Sequence, residues 1–348
     1  MKALALDTQR FAPADAVGHL LAHDIAIDGR ARLRKGHRIT TDDIATLRAN
    51  ESGKLHVLVA EDGDIPEEEA AQRLAVAVAG AGVQIKGPVE GRYNVVAAAR
   101  GLLRFDGDAL QALNELDDIS IFALYDGMTV EAGEVVAGVK VTPLIAREAN
   151  VNAAETIAAA TKGVIRVESF RPLAVGVVIK ETLGERERER VIGRLSEKIA
   201  WFGGEVIAVT QVPDDPDAVG AAFAAQLAAG ARLLLATGGS ALDPFDAMLG
   251  GLAQIDGRME RFGAPAHPGS LFWLAYTPAA VPIFGVASCG MFSKATAVDL
   301  LLPPIFAGEH LGKRQIAALW QGGLLNKEMG FKFPAYYDES VEQGAAES

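Results

Sequence analysis

Between Leu173 and Ala236 the chain alternates unbroken apolar runs with helix-forming stretches, and this alternation limits its architecture more than any other feature. The run Leu173-Ala174-Val175-Gly176-Val177-Val178-Ile179 has no polar interruption, as a strand covered on both faces requires. A charged helix follows over 185–202, then a strand over 205–210, the loop Pro213-Asp214-Asp215-Pro216, a helix over 217–229 and a strand over 231–236. Strand, helix, strand, helix, strand at this spacing predicts a mostly parallel α/β sheet. The repeat Glu185-Arg186-Glu187-Arg188-Glu189-Arg190 reads as a solvated helix face with pairs three and four residues apart.

The chain has 348 residues, which is more than one hydrophobic core usually serves. An α+β segment is expected over 1–82. It includes a helix-like stretch from Pro13 to His23, a helix capped by Thr40 or Thr41, the strand 55–59 and an alanine-rich helix opened by Pro66-Glu67-Glu68-Glu69. A mixed, β-rich, hammerhead-like segment follows over 83–171. There Lys140 lies inside a strand and not at a hairpin tip, which speaks against a lipoyl-type attachment. The α/β domain then spans 172–330, and 331–348 form a tail.

Apolar runs fall short of the roughly 20 residues of a membrane span. Asp7 interrupts the N-terminus before an apolar signal core can form, so a cytoplasmic protein is expected. A net charge of -12 opposes non-specific binding to nucleic acid or anionic lipid. An anionic small ligand remains open, because backbone amides at a helix N-terminus hold phosphate without net positive charge. The lone Cys289 forms no internal disulfide, and His19 and His23 have helical metal-ligand spacing with nothing nearby to complete a zinc site.

Ligands of open parallel sheets bind beyond the carboxyl ends of the strands. That places Thr237-Gly238-Gly239-Ser240 at a ligand loop, with Asp243 and Asp246 adding carboxylates for a metal, a hydroxyl or a ring amino group. His267-Pro268-Gly269, Ser288-Cys289-Gly290 and Lys294 are further candidates for ligand contact. Cys289 is either a ligand contact or a small buried residue, and Lys294 either a counter-charge to an anion or a surface lysine.

This order of elements, with Val212-Pro213-Asp214-Asp215 and the Thr237 loop, resembles the molybdopterin-binding domain (MoaB/Mog type) of molybdenum-cofactor biosynthesis proteins over roughly 173–310. Asp246 falls on that family's loop aspartate, whereas Ala241 replaces its usual second loop glycine. The segments 21–44, 263–271 and 282–290 look like a bacterial group in which such a domain often precedes a cofactor nucleotidyltransferase, for which this sequence has no glycine-rich nucleotide loop.

The resemblance implies a molybdopterin or molybdenum-cofactor ligand, with magnesium as a further candidate, and a homo-oligomer. Its implied partners are a nucleotidyltransferase or an apo-molybdoenzyme. Three readings stay open: a cofactor carrier; an enzyme adenylylating molybdopterin or inserting molybdate, with Asp246 as the catalytic residue; and a ligand-free scaffold or regulator. Ala287-Ser288-Cys289-Gly290 stands where the molybdate-inserting relatives carry Pro-Gly-Asn-Pro, which counts against insertion.

Overall fold

Hydrophobic patterning and turn chemistry resolve into two compact units in the computed structural model, which describes residues 1–27, 30–50, 53–89, 91–142, 144–180, 184–239, 242–286 and 295–336. The first unit comprises Met1–Ala99, Arg104–Asp126 and Ala132–Val167; the second comprises Arg100–Leu103, Gly127–Glu131 and Glu168–Ser348.

In the first unit, Lys2–Asp7, Lys54–Val59 and Leu20–Leu21 form an antiparallel sheet over a small core that includes Phe11, Leu21, Ile25, Ile39, Leu47 and Val57. The expected helix from Pro13 to His23 does not form. Only Pro13–Asp15 makes a 3-10 turn, Gly18 takes φ +87°, and the chain then enters the short strand Leu20–Leu21. A non-glycine residue at such a φ would be strained, so Gly18 marks where the helical stretch is broken.

Thr40 sits at the N-cap of the 3-10 turn Thr41–Asp43, where its amide and hydroxyl both donate to Asp43 Oδ2 at 2.7 Å; the helix Ile44–Arg48 that follows has Asp43 as its own N-cap. A second antiparallel sheet, in the order Ile119–Ala123, Val135–Val141, Arg92–Ala97, Val83–Val89, keeps Lys140 within a strand. The helices Glu67–Val78 and Glu148–Ala159 are joined by Arg73, which donates to Glu155 and Asn152.

The second unit carries the predicted α/β domain. Its elements run β1 (Ala174–Ile179), α1 (Glu185–Trp201), β2 (Glu205–Gln211), α2 (Pro216–Ala228), β3 (Leu233–Thr237), α3 (Ala247–Gln254), β4 (Arg258–Phe262), β5 (Trp273–Tyr276), β6 (Pro282–Val286) and α4 (Ala297–Phe306). The six strands order β2-β1-β3-β6-β5-β4; the first four are mutually parallel, and β5 pairs antiparallel with both β6 and β4.

The twofold period of each strand sorts its side chains onto two layers. Val175, Val177, Ile179, Leu233 and Leu235 pack with Val191, Leu195 and Ile199 of α1 and Leu301, Leu302 and Ile305 of α4. Val178, Leu234 and Ala236 pack with Val219 and Phe223 of α2 and Met248 and Leu252 of α3. Fully burying such a side chain stabilises by about 1.5–3 kcal/mol, so the apolar runs legible in the sequence are what fix this three-layer domain. The start of α2 is equally local: Asp215 Oδ2 accepts from the Ala218 amide at 3.0 Å, with Pro216 at the first helical position.

Candidate functional site

The connections fix where a ligand can enter. From β1 the chain moves through α1 on one face of the sheet, whereas from β3 it moves through α3 on the other face. β1 and β3 are neighbours, so their carboxyl ends open a crevice at a topological switch point, where ligands of open α/β sheets bind. The two ends are tied there by the Lys180 amide, which donates to the Thr237 carbonyl at 2.9 Å.

Thr237, Gly238, Gly239 and Asp246 come together at this crevice. Gly238 takes φ +84°, a conformation that turns the chain sharply out of β3 and favours glycine. A Cβ on Gly239 would lie 3.0 Å from Met248 Cγ and 3.1 Å from Asp246 Oδ1, so the loop backbone runs directly against the start of α3. Asp246 is the N-cap of α3: its Oδ1 accepts from the Met248 amide at 2.8 Å. The Thr237 residue is 2% exposed, yet its Oγ1 has no hydrogen-bond partner among the described residues. A buried hydroxyl without a protein partner carries a desolvation cost of about 1–3 kcal/mol.

The residue that the sequence reading missed is Lys180. Its Nζ lies 2.7 Å from Asp246 Oδ2 and 2.9 Å from Asp214 Oδ1. Burial alone would lower the Lys180 pKa, but the hydrogen bonds to Asp246 and Asp214 outweigh it and hold the ammonium above the ordinary lysine range. The available signal was position: Lys180 is the first polar residue after the apolar β1, at the carboxyl end where ligand groups collect.

The other expected residues divide into three groups. Asp243 is exposed and serves its own turn, its Oδ1 accepting from the Phe245 amide at 2.9 Å and its carbonyl from the Asp246 amide at 3.2 Å. Phe245 beside it is 91% exposed. His267, Pro268 and Gly269 pack at the start of α4, where the Ala297 amide donates to the Pro268 carbonyl at 3.0 Å and Gly269 leaves no room for a Cβ. The His267 backbone bridges to Leu324, and its side chain is exposed. Ser240, Ser288, Cys289, Gly290 and Lys294 lie outside the described residues. No cluster of three or more metal-ligating side chains occurs among the described residues; His23 instead makes an edge contact with His56.

Residues 179–305 match a family model described as a probable molybdopterin binding domain. The match runs from the end of β1 to the last turn of α4 and therefore contains the whole crevice. This molybdopterin-binding-type domain supports a general role in molybdenum-cofactor biosynthesis. Residues 11–61, in the first unit, match a domain of unknown function (DUF8806).

No curated protein matches the chain. Among solved structures, a protein from Corynebacterium diphtheriae named for molybdenum cofactor biosynthesis aligns at 16% identity and a TM-score of 0.26, covering 39% of this chain and 94% of the other. A molybdenum cofactor biosynthesis protein from Pyrococcus furiosus aligns at 13% identity and a TM-score of 0.27 over 89% of this chain, which spans 65% of that protein's length. Both TM-scores are too low to equate the folds. No described helix is long and apolar enough to cross a membrane.

Proposed function

We propose that the C-terminal domain binds molybdopterin, or its metal-loaded form, in the crevice between β1 and β3 and acts as a carrier that delivers it to a nucleotidyltransferase or an apo-molybdoenzyme. The supporting observation is the Thr237 loop itself: a buried hydroxyl with no partner among the described residues, followed by two glycines whose backbone lies against the N-terminus of α3 inside the matched segment. Backbone amides in such a turn donate to the pyrophosphate oxygens of a pterin ligand, and the positive end of a helix favours their negative charge. The Thr237 hydroxyl gains a partner when an anionic oxygen arrives. The carboxylates at the mouth suit the amino groups of a pterin ring, which are donors.

Anaerobic titration of the full chain with molybdopterin tests the assignment. Saturable binding at micromolar concentration or tighter, about -8 kcal/mol, that Asp246→Ala weakens is the expected result. Unchanged affinity in the variant removes Asp246 from the site, and absence of binding by folded protein removes the ligand. Pyrophosphate release from ATP in the presence of molybdopterin would convert the carrier into an adenylyl-transferring enzyme.

A further inference from the structure

We propose that Lys180 is a built-in counter-cation standing where a divalent metal would otherwise sit between Asp214 and Asp246, so that the crevice takes its ligand without magnesium. Two carboxylates from separate loops converge on one point, Asp246 Oδ2 at 2.7 Å and Asp214 Oδ1 at 2.9 Å from Lys180 Nζ. A pair of carboxylates at a phosphate-binding loop is the donor set on which magnesium is ordinarily held, one or two carboxylates with substrate oxygens completing the shell. In this chain a covalently attached ammonium fills that position.

The attachment is firm on the inner side and open on the outer one. The Lys180 backbone is pinned to Thr237, so the side chain enters the crevice from the strand end. The Asp246 side chain is 3% exposed and its Oδ1 accepts from the Met248 amide, which holds Oδ2 toward the Lys180 ammonium. The Lys180 side chain is 10% exposed and that of Asp214 72%. A divalent ion would therefore meet a fixed positive charge in a partly desolvated site, where like charges repel far more strongly than in water. The residues present do not fit magnesium, and the carboxylate pair is already neutralised in part by the chain itself.

This inference refines the proposed ligand site, but its test uses Mn2+ alone and needs no pterin. Mn2+ binding to the full-length protein is followed by electron paramagnetic resonance for wild type, Asp214→Asn, Lys180→Met, and Lys180→Met combined with Asp214→Asn. Methionine keeps the apolar stem while removing the charge. Wild type is expected to show no Mn2+ binding that Asp214→Asn abolishes. Lys180→Met should gain one bound equivalent, at least about tenfold tighter than any wild-type binding, and the double variant should lose it.

A wild-type Mn2+ site that Asp214→Asn releases overturns the proposal, as does a folded Lys180→Met protein that gains none. Should Lys180→Met fail to fold, the wild-type melting temperature decides. It is expected to be the same in Mg2+ and in chelator, and a Mg2+ stabilisation abolished by Asp214→Asn overturns the proposal. Failure of the molybdopterin titration leaves each of these outcomes readable.

Discussion

Lys198 donates to Asp299 across 2.7 Å in the interior of the second unit, with neither side chain more than 3% exposed. Tyr336 donates its hydroxyl to the same carboxylate oxygen at 2.8 Å, and Thr296 gives Oδ2 both its amide, at 2.8 Å, and its hydroxyl, at 2.9 Å. Asp299 thus caps α4 and joins it to α1 and to Tyr336. Burial, then the negative charge of Asp299, pushes the Tyr336 phenol well above its ordinary range. Removing one partner of such a pair leaves the other charged and desolvated. Asp299→Asn is therefore expected to cost about 3–5 kcal/mol in urea unfolding, and Tyr336→Phe about 1–2 kcal/mol. Equal costs for the two variants would show that the ion pair is not the anchor of this cluster.

Gly239 permits a direct test of whether the loop backbone itself contacts the ligand. A methyl group there would press on Met248 Cγ and Asp246 Oδ1 at 3.0 and 3.1 Å, a conflict that small shifts relieve. Gly239→Ala is expected to lower molybdopterin affinity about tenfold, while changing folding stability by no more than about 1 kcal/mol. Retained affinity would place the ligand away from this turn.

In the first unit, burial and then the neighbouring His56, whose ring centroid is 5.1 Å away, lower the His23 pKa below its ordinary value of about 6.5, with Asp24 opposing them. Its Nδ1 is buried without a hydrogen-bond partner among the described residues. Because the folded pKa is the lower one, the unfolded chain binds more protons as the solution is acidified. The stability that neutral His23 allows is complete above about pH 6.5 and is lost as pH falls through the folded value. Urea midpoints should decline over that window, and His23→Gln should flatten the decline. Identical pH profiles for the two proteins would mean that His23 does not set it.

The α/β domain was legible because its signals are local. Unbroken apolar runs gave the central strands, Asp215-Pro216 marked a helix start, and the Thr237 loop lay where strand order places ligands. The Pro13–His23 stretch departs from the expected helix because Gly18, at a φ of +87°, turns the chain out of it after the short 3-10 turn Pro13–Asp15. Lys180 escaped notice for a different reason. Nothing within its own segment pairs with it, and its two carboxylates arrive from loops that only the crossover connections bring to the end of β1. Gly285 is similar: it looks like a weak point in an apolar strand, yet a Cβ there would fall about 2 Å from the Trp273 ring, a requirement visible only once β5 and β6 are paired.

Thr237 separates a ligand-binding role from a structural one most cleanly. Replacing it with valine keeps the shape and removes only the buried hydroxyl, whose Oγ1 lacks a partner among the described residues. A polar atom that is satisfied inside the protein costs stability when deleted, whereas an unsatisfied one returns its desolvation penalty, about 1–3 kcal/mol. Thr237→Val is therefore expected to raise the urea midpoint and at the same time weaken molybdopterin binding, by about tenfold for one lost hydrogen bond to an anionic oxygen. Greater stability bought with lower affinity is the signature of a group kept for its ligand. A variant that is less stable, or that binds as tightly as wild type, would assign Thr237 to the fold and move the anion contact elsewhere in the crevice.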